Sequence, residues 1–200
     1  MNKKQLEHVL RALSEMLRDS NQFQGNFVLF GSQAILAHMD PDFFPEAQRA
    51  FLSAEIDIAA DTPDPHEQAK MAEFIWKNIG EGSRFDQAHG AYADGVALET
   101  PTFPAGWRER LVEVRVPGQT ESIIYMALSV QDIVASKLYA GRQKDLDYIE
   151  ALFVTQHPDL VKVSDTLENL PDDPKSEKSR VKWAAHFAPK LPRKAPAGPK

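Results

Sequence analysis

Cysteine is missing from this chain of 200 residues, which excludes disulfides, thiolate-bound zinc and a cysteine nucleophile. A long hydrophobic run is missing too: no stretch reaches the ~20 apolar residues of a membrane-spanning helix. The first segment, MNKKQLEHVLRALSEMLRD, is charged throughout and holds no apolar signal-peptide core. A soluble, cytoplasmic protein is the expectation. Positive charge is in short supply, with 23 basic side chains against 29 acidic ones and a net charge of −6. That balance argues against a generally basic nucleic-acid binder, although it permits a local basic patch. The phosphate loop G-x-x-x-x-G-K-[ST], the G-x-S-x-G elbow and the H-E-x-x-H helix are all absent. The six histidines show no metal-ligand spacing.

What is present suffices for a core: 42% of the residues are apolar, in 22.4 kDa, the size of one domain. The charge is unevenly spread. Residues 1–170 carry 15 Lys/Arg and 26 Asp/Glu, whereas residues 171–200 carry 8 and 3, together with 6 of the 14 prolines. Residues 171–200 read as a Pro/Lys-rich basic tail, whose last stretch, APKLPRKAPAGPK (188–200), reads as flexible or partly extended.

Leu6, Val9, Leu10, Leu13, Met16 and Leu17 repeat at the spacing of one helical face, predicting an amphipathic helix over 3–19. NFVLF (26–30) is a β-prone apolar run that meets Gly31-Ser32 and then a helical segment, QAILAHM. Residues 40–53 read as a loop. In AEIDIAA (54–60), Ile56 and Ile58 alternate with Glu55 and Asp57, as in a strand. Residues 65–79 read as a helix, and strands are expected near 92–98, 111–116 and 123–128, the last two separated by the turn Pro117-Gly118. Two helices follow over 129–141 and 143–155, with Ser129 and Asp132 forming a capping-box-like start and Gly141 at the break. Another covers 158–169. The order predicts an α+β fold: a core over 1–128, a helical C-terminal portion over 129–170 and the tail over 171–200.

Two local features carry chemistry. Gly31-Ser32 lies where a strand turns into a helix, where backbone N–H groups, a hydroxyl and a helix start can meet a phosphate. Glu55 and Asp57, two apart in a strand, point the same way. Two like charges so placed repel unless a cation lies between them, and hard oxygen ligands suit Mg²⁺. The bland alternatives are an ordinary turn and the solvent face of an edge strand.

The combination resembles the active-site signature of the polymerase-β-type nucleotidyltransferase fold, a mixed or antiparallel sheet flanked by helices. The segments LFGSQAILAHM…FLSAEIDIAAD, IGEGSRFDQAHGAYADGVALETPTFPAGWRERLVEV and ALSVQDIVASKLYAGRQKDLDYIEAL look like a bacterial family of uncharacterised nucleotidyltransferase-like proteins. That family is similar to the AbiEii-type toxins of toxin–antitoxin systems. The resemblance implies that Gly31 and Ser32 hold a nucleoside triphosphate while Glu55 and Asp57 bind metal and catalyse. Lys137, Arg142 and Lys144 then make sense as partners for the phosphates, with Asp145 orienting one of them or capping the second helix. Asp94, in YADGVAL, is the first choice for a third metal carboxylate, with Glu113 and Glu99 as alternatives. The chain departs from the general pattern in the 22 residues between Ser32 and Glu55, and in Glu as the first acid.

The leading expectation is a Mg²⁺-dependent nucleotidyltransferase that moves a nucleoside monophosphate from a nucleoside triphosphate to an RNA, protein or small-molecule acceptor. A role as the toxin of a toxin–antitoxin pair, with a cognate antitoxin as partner, goes with it. The alternative is a catalytically degenerate nucleotide-binding or protein-interaction module of the same fold.

Overall fold

The computed structural model describes residues 1–20, 23–39, 53–117, 119 and 122–187. The expected loop over 40–53 and the residues after Phe187 therefore lie almost wholly outside the described residues, as does Gly118 of the expected turn. The chain is α+β. Its elements run α1 (Lys3–Ser20), β1 (Gly25–Phe30), a 3₁₀ helix (Gln33–His38), β2 (Glu55–Ala60), α2 (Pro65–Ile79), α3 (Arg84–His89) and β3 (Tyr92–Gly95). A second 3₁₀ helix (Trp107–Arg110) leads into β4 (Val112–Val114) and β5 (Ile123–Ala127). Then come α4 (Val130–Ala140), α5 (Gln143–Gln156), α6 (Leu160–Leu167) and α7 (Pro174–His186).

The five strands form one mixed sheet in the order β3-β2-β1-β5-β4. β1 runs parallel to β5 and antiparallel to β2, β2 runs parallel to β3, and β4 is antiparallel to β5. Register fixes which side chains share a face. Phe27 lies beside Tyr125 and Leu29 beside Ile58, so these residues form one apolar face. α1 lies over it: the Tyr125 hydroxyl donates to the Leu10 carbonyl at 2.8 Å, and Leu6, Val9, Leu10, Leu13 and Leu17 are buried. α2 packs against β2 and β3 and touches α1. The opposite face carries Phe30, Asp57 and Asp94, which are neighbours across β1, β2 and β3. Among the described residues, no helix is long and apolar enough to cross a membrane.

The helical portion springs from the end of β5. Ser129 caps α4 by accepting from the Asp132 backbone N–H, as its spacing predicts. α4 touches α5, α6, α7 and the first 3₁₀ helix, so it forms the centre of this layer. Gly141, at φ +69°, ends α4 with its N–H on the Lys137 carbonyl. Lys137 and Lys144 therefore belong to separate helices, not to one face of a continuous helix.

Of the expected basic tail over 171–200, the stretch 188–200 lies outside the described residues, and the part before it is helical. Residues 174–186 form a regular helix, started by the Asp173 side chain accepting from the backbone N–H groups of Lys175 and Ser176, with Pro174 in the first turn. Ser176, Ser179, Trp183 and Phe187 are buried along one side of it. Trp183 and Phe187 stack with each other and with Phe153 of α5. Each buried aromatic contributes about 2–3 kcal/mol of transfer free energy, enough to dock a helix that is otherwise rich in lysine. The Ser179 hydroxyl adds a bond to the Leu138 carbonyl at 3.1 Å.

Candidate active site

β1 ends at Phe30, and the chain reverses at Gly31 with φ +70°. A Cβ at Gly31 would lie 1.8 Å from Asp57 Oδ2, so the glycine supplies both the backbone twist and the room for that carboxylate. Ser32 follows as the first residue of the turn into the 3₁₀ helix, and its hydroxyl makes no capping bond. Instead Ser32 Oγ accepts from Lys137 Nζ at 2.9 Å, which leaves its own O–H able to donate.

Glu55, Asp57 and Asp94 come together on the adjoining strands. Asp57 and Asp94 are paired neighbours across β2 and β3, and Glu55 is two residues along the same face. One oxygen from each carboxylate lies within 4.8 Å of the others. Oxygens around one octahedral Mg²⁺ at about 2.1 Å lie about 3–4 Å apart, so small side-chain rotations bring these three onto a metal. The electrostatics agree with that fit. Burial first, then the charge and hydrogen bond of Glu55 and the charge of Asp94, push Asp57 up to about 7. Lys137 opposes the shift. Burial, with the charges of Glu55 and Glu81, also raises Asp94. Asp57 and Asp94, each raised by burial and by the charge of Glu55, belong to a donor set that a divalent cation satisfies. Glu113, an alternative third acid, instead pairs with Arg115 on the exposed edge strand β4.

Across from the acids stands a self-paired group. Asp145 is buried, with its side chain 1% exposed. It accepts from Arg142 Nε at 2.7 Å, from Lys137 Nζ at 3.3 Å and from the Arg142 backbone N–H, so it both orients the cations and caps α5. Burial alone would raise its carboxyl, but the Arg142 hydrogen bond and the two cations outweigh it and hold the group below the usual range. Lys137 is lowered by burial, against the pull of Asp145. Its Nζ also sits 4.3 Å over the Tyr148 ring, while the Tyr148 hydroxyl donates to the Ser32 carbonyl at 2.6 Å.

Gly31, Ser32, Glu55, Asp57, Lys137, Arg142 and Lys144 all line one cleft of about 710 Å³, and Asp94 flanks it through the acid cluster. The sequence-based candidates thus meet in one place. Three participants had no sequence signal of their own. Tyr148 lies eleven residues beyond Lys137. Tyr92, opposite Glu55 in register, donates its hydroxyl to Glu55 Oε2 at 3.4 Å, and its own ionisation is pushed up to about 12 by burial and by Glu55. Lys175 lines the cleft from α7. His89 and Trp107 fall elsewhere: His89 meets His8 edge-on and lies tilted against Phe85, and Trp107 packs on Phe103 under Arg108.

A five-stranded mixed sheet with helices, bearing an acid cluster opposite a Gly-Ser turn and a cationic helix corner, is compatible with the nucleotidyltransferase class. Residues 4–185 match the family described as nucleotidyltransferase of unknown function, DUF6036, and the chain belongs to that family. No curated protein and no solved structure matches it.

Proposed function

We propose that the protein is a Mg²⁺-dependent nucleotidyltransferase of the polymerase-β type, moving a nucleoside monophosphate from a nucleoside triphosphate to an acceptor hydroxyl. The observation that carries this reading is the convergence of Glu55, Asp57 and Asp94 within 4.8 Å beside the Gly31-Ser32 turn. The three carboxylates would hold the metal, whose charge, when bound, supports the negative charge on the reacting phosphate. The chain's own groups do the rest. Ser32's O–H and the Gly31-Ser32 backbone hold triphosphate oxygens, and Lys137, Arg142 and Lys144 neutralise them. A carboxylate of the Glu55/Asp57 pair accepts the proton of the acceptor hydroxyl as its oxygen bonds to the α-phosphorus and pyrophosphate departs.

A cytoplasmic location goes with this reading, because nucleoside triphosphates are made and spent there. A toxin role of the AbiEii kind, with an antitoxin partner, is the biological setting the sequence resemblance favours. The test is pyrophosphate release from each of the four triphosphates with Mg²⁺ and pooled RNA or protein acceptors. Asp57→Ala should lower the rate about 10³-fold, or ~4 kcal/mol of barrier. Nucleotide binding with no pyrophosphate released from any triphosphate would assign the catalytically degenerate role instead.

A further inference from the structure

α7 turns what composition marks as a loose basic terminus into a placed surface. Lys175, in its first turn, lines the cleft with Nζ 4.2 Å above the Tyr139 ring. Asp173 fixes that end of the helix by capping it and by accepting the Tyr139 hydroxyl at 2.9 Å. Lys178 and Lys182 follow at spacings of three and seven, the same side of a helix. Lys182 Nζ reaches the Gly141 carbonyl at 3.2 Å, at the corner where α4 gives way to Arg142 and Lys144 of α5. A row of cations therefore runs from the cleft over the α4–α5 corner and along α7.

The cations differ in what holds them. Lys137 and Arg142 are bonded to Asp145. Lys144, Lys175, Lys178 and Lys182 have no carboxylate within ion-pair distance among the described residues. Neighbouring unpaired cations repel one another and are relieved by an external anion. A nucleoside triphosphate bound at Ser32 and Lys137 does not extend along α7, where seven residues span about 10 Å. Lys178 and Lys182 also lie outside the cleft lining. An anion repeated along a chain fits such a row, and a polynucleotide has one. Past α7 the sequence adds Lys190, Arg193, Lys194 and Lys200 with no acid.

We propose that the α5–α7 edge is the docking track for the acceptor, and that the acceptor is a nucleic acid whose single-stranded end enters the cleft beside Lys175. This deepens the nucleotidyltransferase reading and rests on it for the role of the bound strand. The α7 row steers and holds phosphates of the strand, while the acids and the Gly31-Ser32 turn remain for the nucleotide.

The experiment measures binding of a fluorescein-labelled 20-nucleotide single-stranded RNA, and of the same sequence as DNA, to the full chain between 50 and 200 mM salt. Lys178→Glu/Lys182→Glu should weaken binding about tenfold or more and flatten the salt slope by about 1.4, two phosphate contacts on a single strand. Lys175→Ala should reproduce a smaller loss without lowering the melting temperature, since Lys175 is an exposed residue and its loss empties no core. Unchanged affinity and slope in the double variant would overturn the proposal, as would equally tight binding of poly-glutamate, which would point to an acidic protein partner. Loss of Mg²⁺–triphosphate binding as large as the loss of RNA binding would also overturn it. Failure of the parent reading looks different: strands bound through α7 with no nucleotide incorporated into any of them.

Discussion

The two walls of the cleft solve the burial of charge in opposite ways. On the strand wall, Glu55, Asp57 and Asp94 are alike in sign, and Asp57 is pushed up to about 7. On the helical wall, one carboxylate meets two cations and is held down. The second wall is satisfied by the chain itself. The first is satisfied only when a proton or a cation arrives. A buried acid is therefore no guide to function until its neighbours are counted: the Asp145 side chain is 1% exposed and paired with two cations, whereas Asp57 sits among like charges.

The sharpest way to break the contrast is to remove the self-paired acid. Asp145→Ala leaves the buried Lys137 ammonium uncompensated, and such a loss costs about 3 kcal/mol. The thermal midpoint should fall by about 6–12 °C, with Mg²⁺ unable to restore it. Removing an acid on the strand wall acts in reverse, since Asp57→Asn removes repulsion. Without metal at pH 8 its midpoint should equal or exceed that of the parent protein, as read by calorimetry.

A smaller effect follows from the contact between the walls' shared turn and Asp57. Gly31→Ala places a methyl group where Asp57 Oδ2 now lies, at a backbone angle that disfavours any side chain. The expected cost is about 2 kcal/mol. Divalent-ion affinity should fall as the carboxylate is displaced, measured by calorimetric titration.

The most gradual effect, spread over about three pH units, is a pH signature. Asp57 keeps its proton in the folded chain up to about pH 7, whereas the unfolded chain releases it near its ordinary value of 3.8. Across that window the unfolded state binds fewer protons, so stability falls as pH rises and is level above it. Asp145, with a lowered value, contributes stability that is lost only on acidification below the ordinary carboxylate range. A metal-free protein should therefore lose on the order of 3 kcal/mol between pH 4.5 and 7.5, and Mg²⁺ should abolish the slope. Asp57→Asn should abolish it too.

Much of this contrast was legible in the chain. Alternation placed Glu55 and Asp57 on one face, and the Ser129 and Gly141 signals bounded α4. The pairing of Asp94 with Asp57 followed from a strand in YADG beside β2, although which acid joined the pair needed the register. Other parts were hidden for physical reasons. α7 buries two serines along with its aromatics, so hydropathy reads it as solvated; only the Asp173-Pro174 start and the 3-4-4 spacing of Ser176, Ser179, Trp183 and Phe187 betray it. The fit of Asp57 into the space above Gly31 is a contact between strands, invisible in either segment alone.

The bonds that hold the Gly31-Ser32 turn also set an order of assembly. Lys137 and Tyr148 reach Ser32 across 105 and 116 positions of sequence, and β5, which leads into α4, pairs with β1. Contacts so distant close late, because the loop between them must be gathered before they form. A chain emerging from the ribosome thus displays its acid strands long before the helices that complete the cleft. Until synthesis has passed Tyr148, the growing polypeptide carries its acid strands without the lysine and the tyrosine that fix the Ser32 turn.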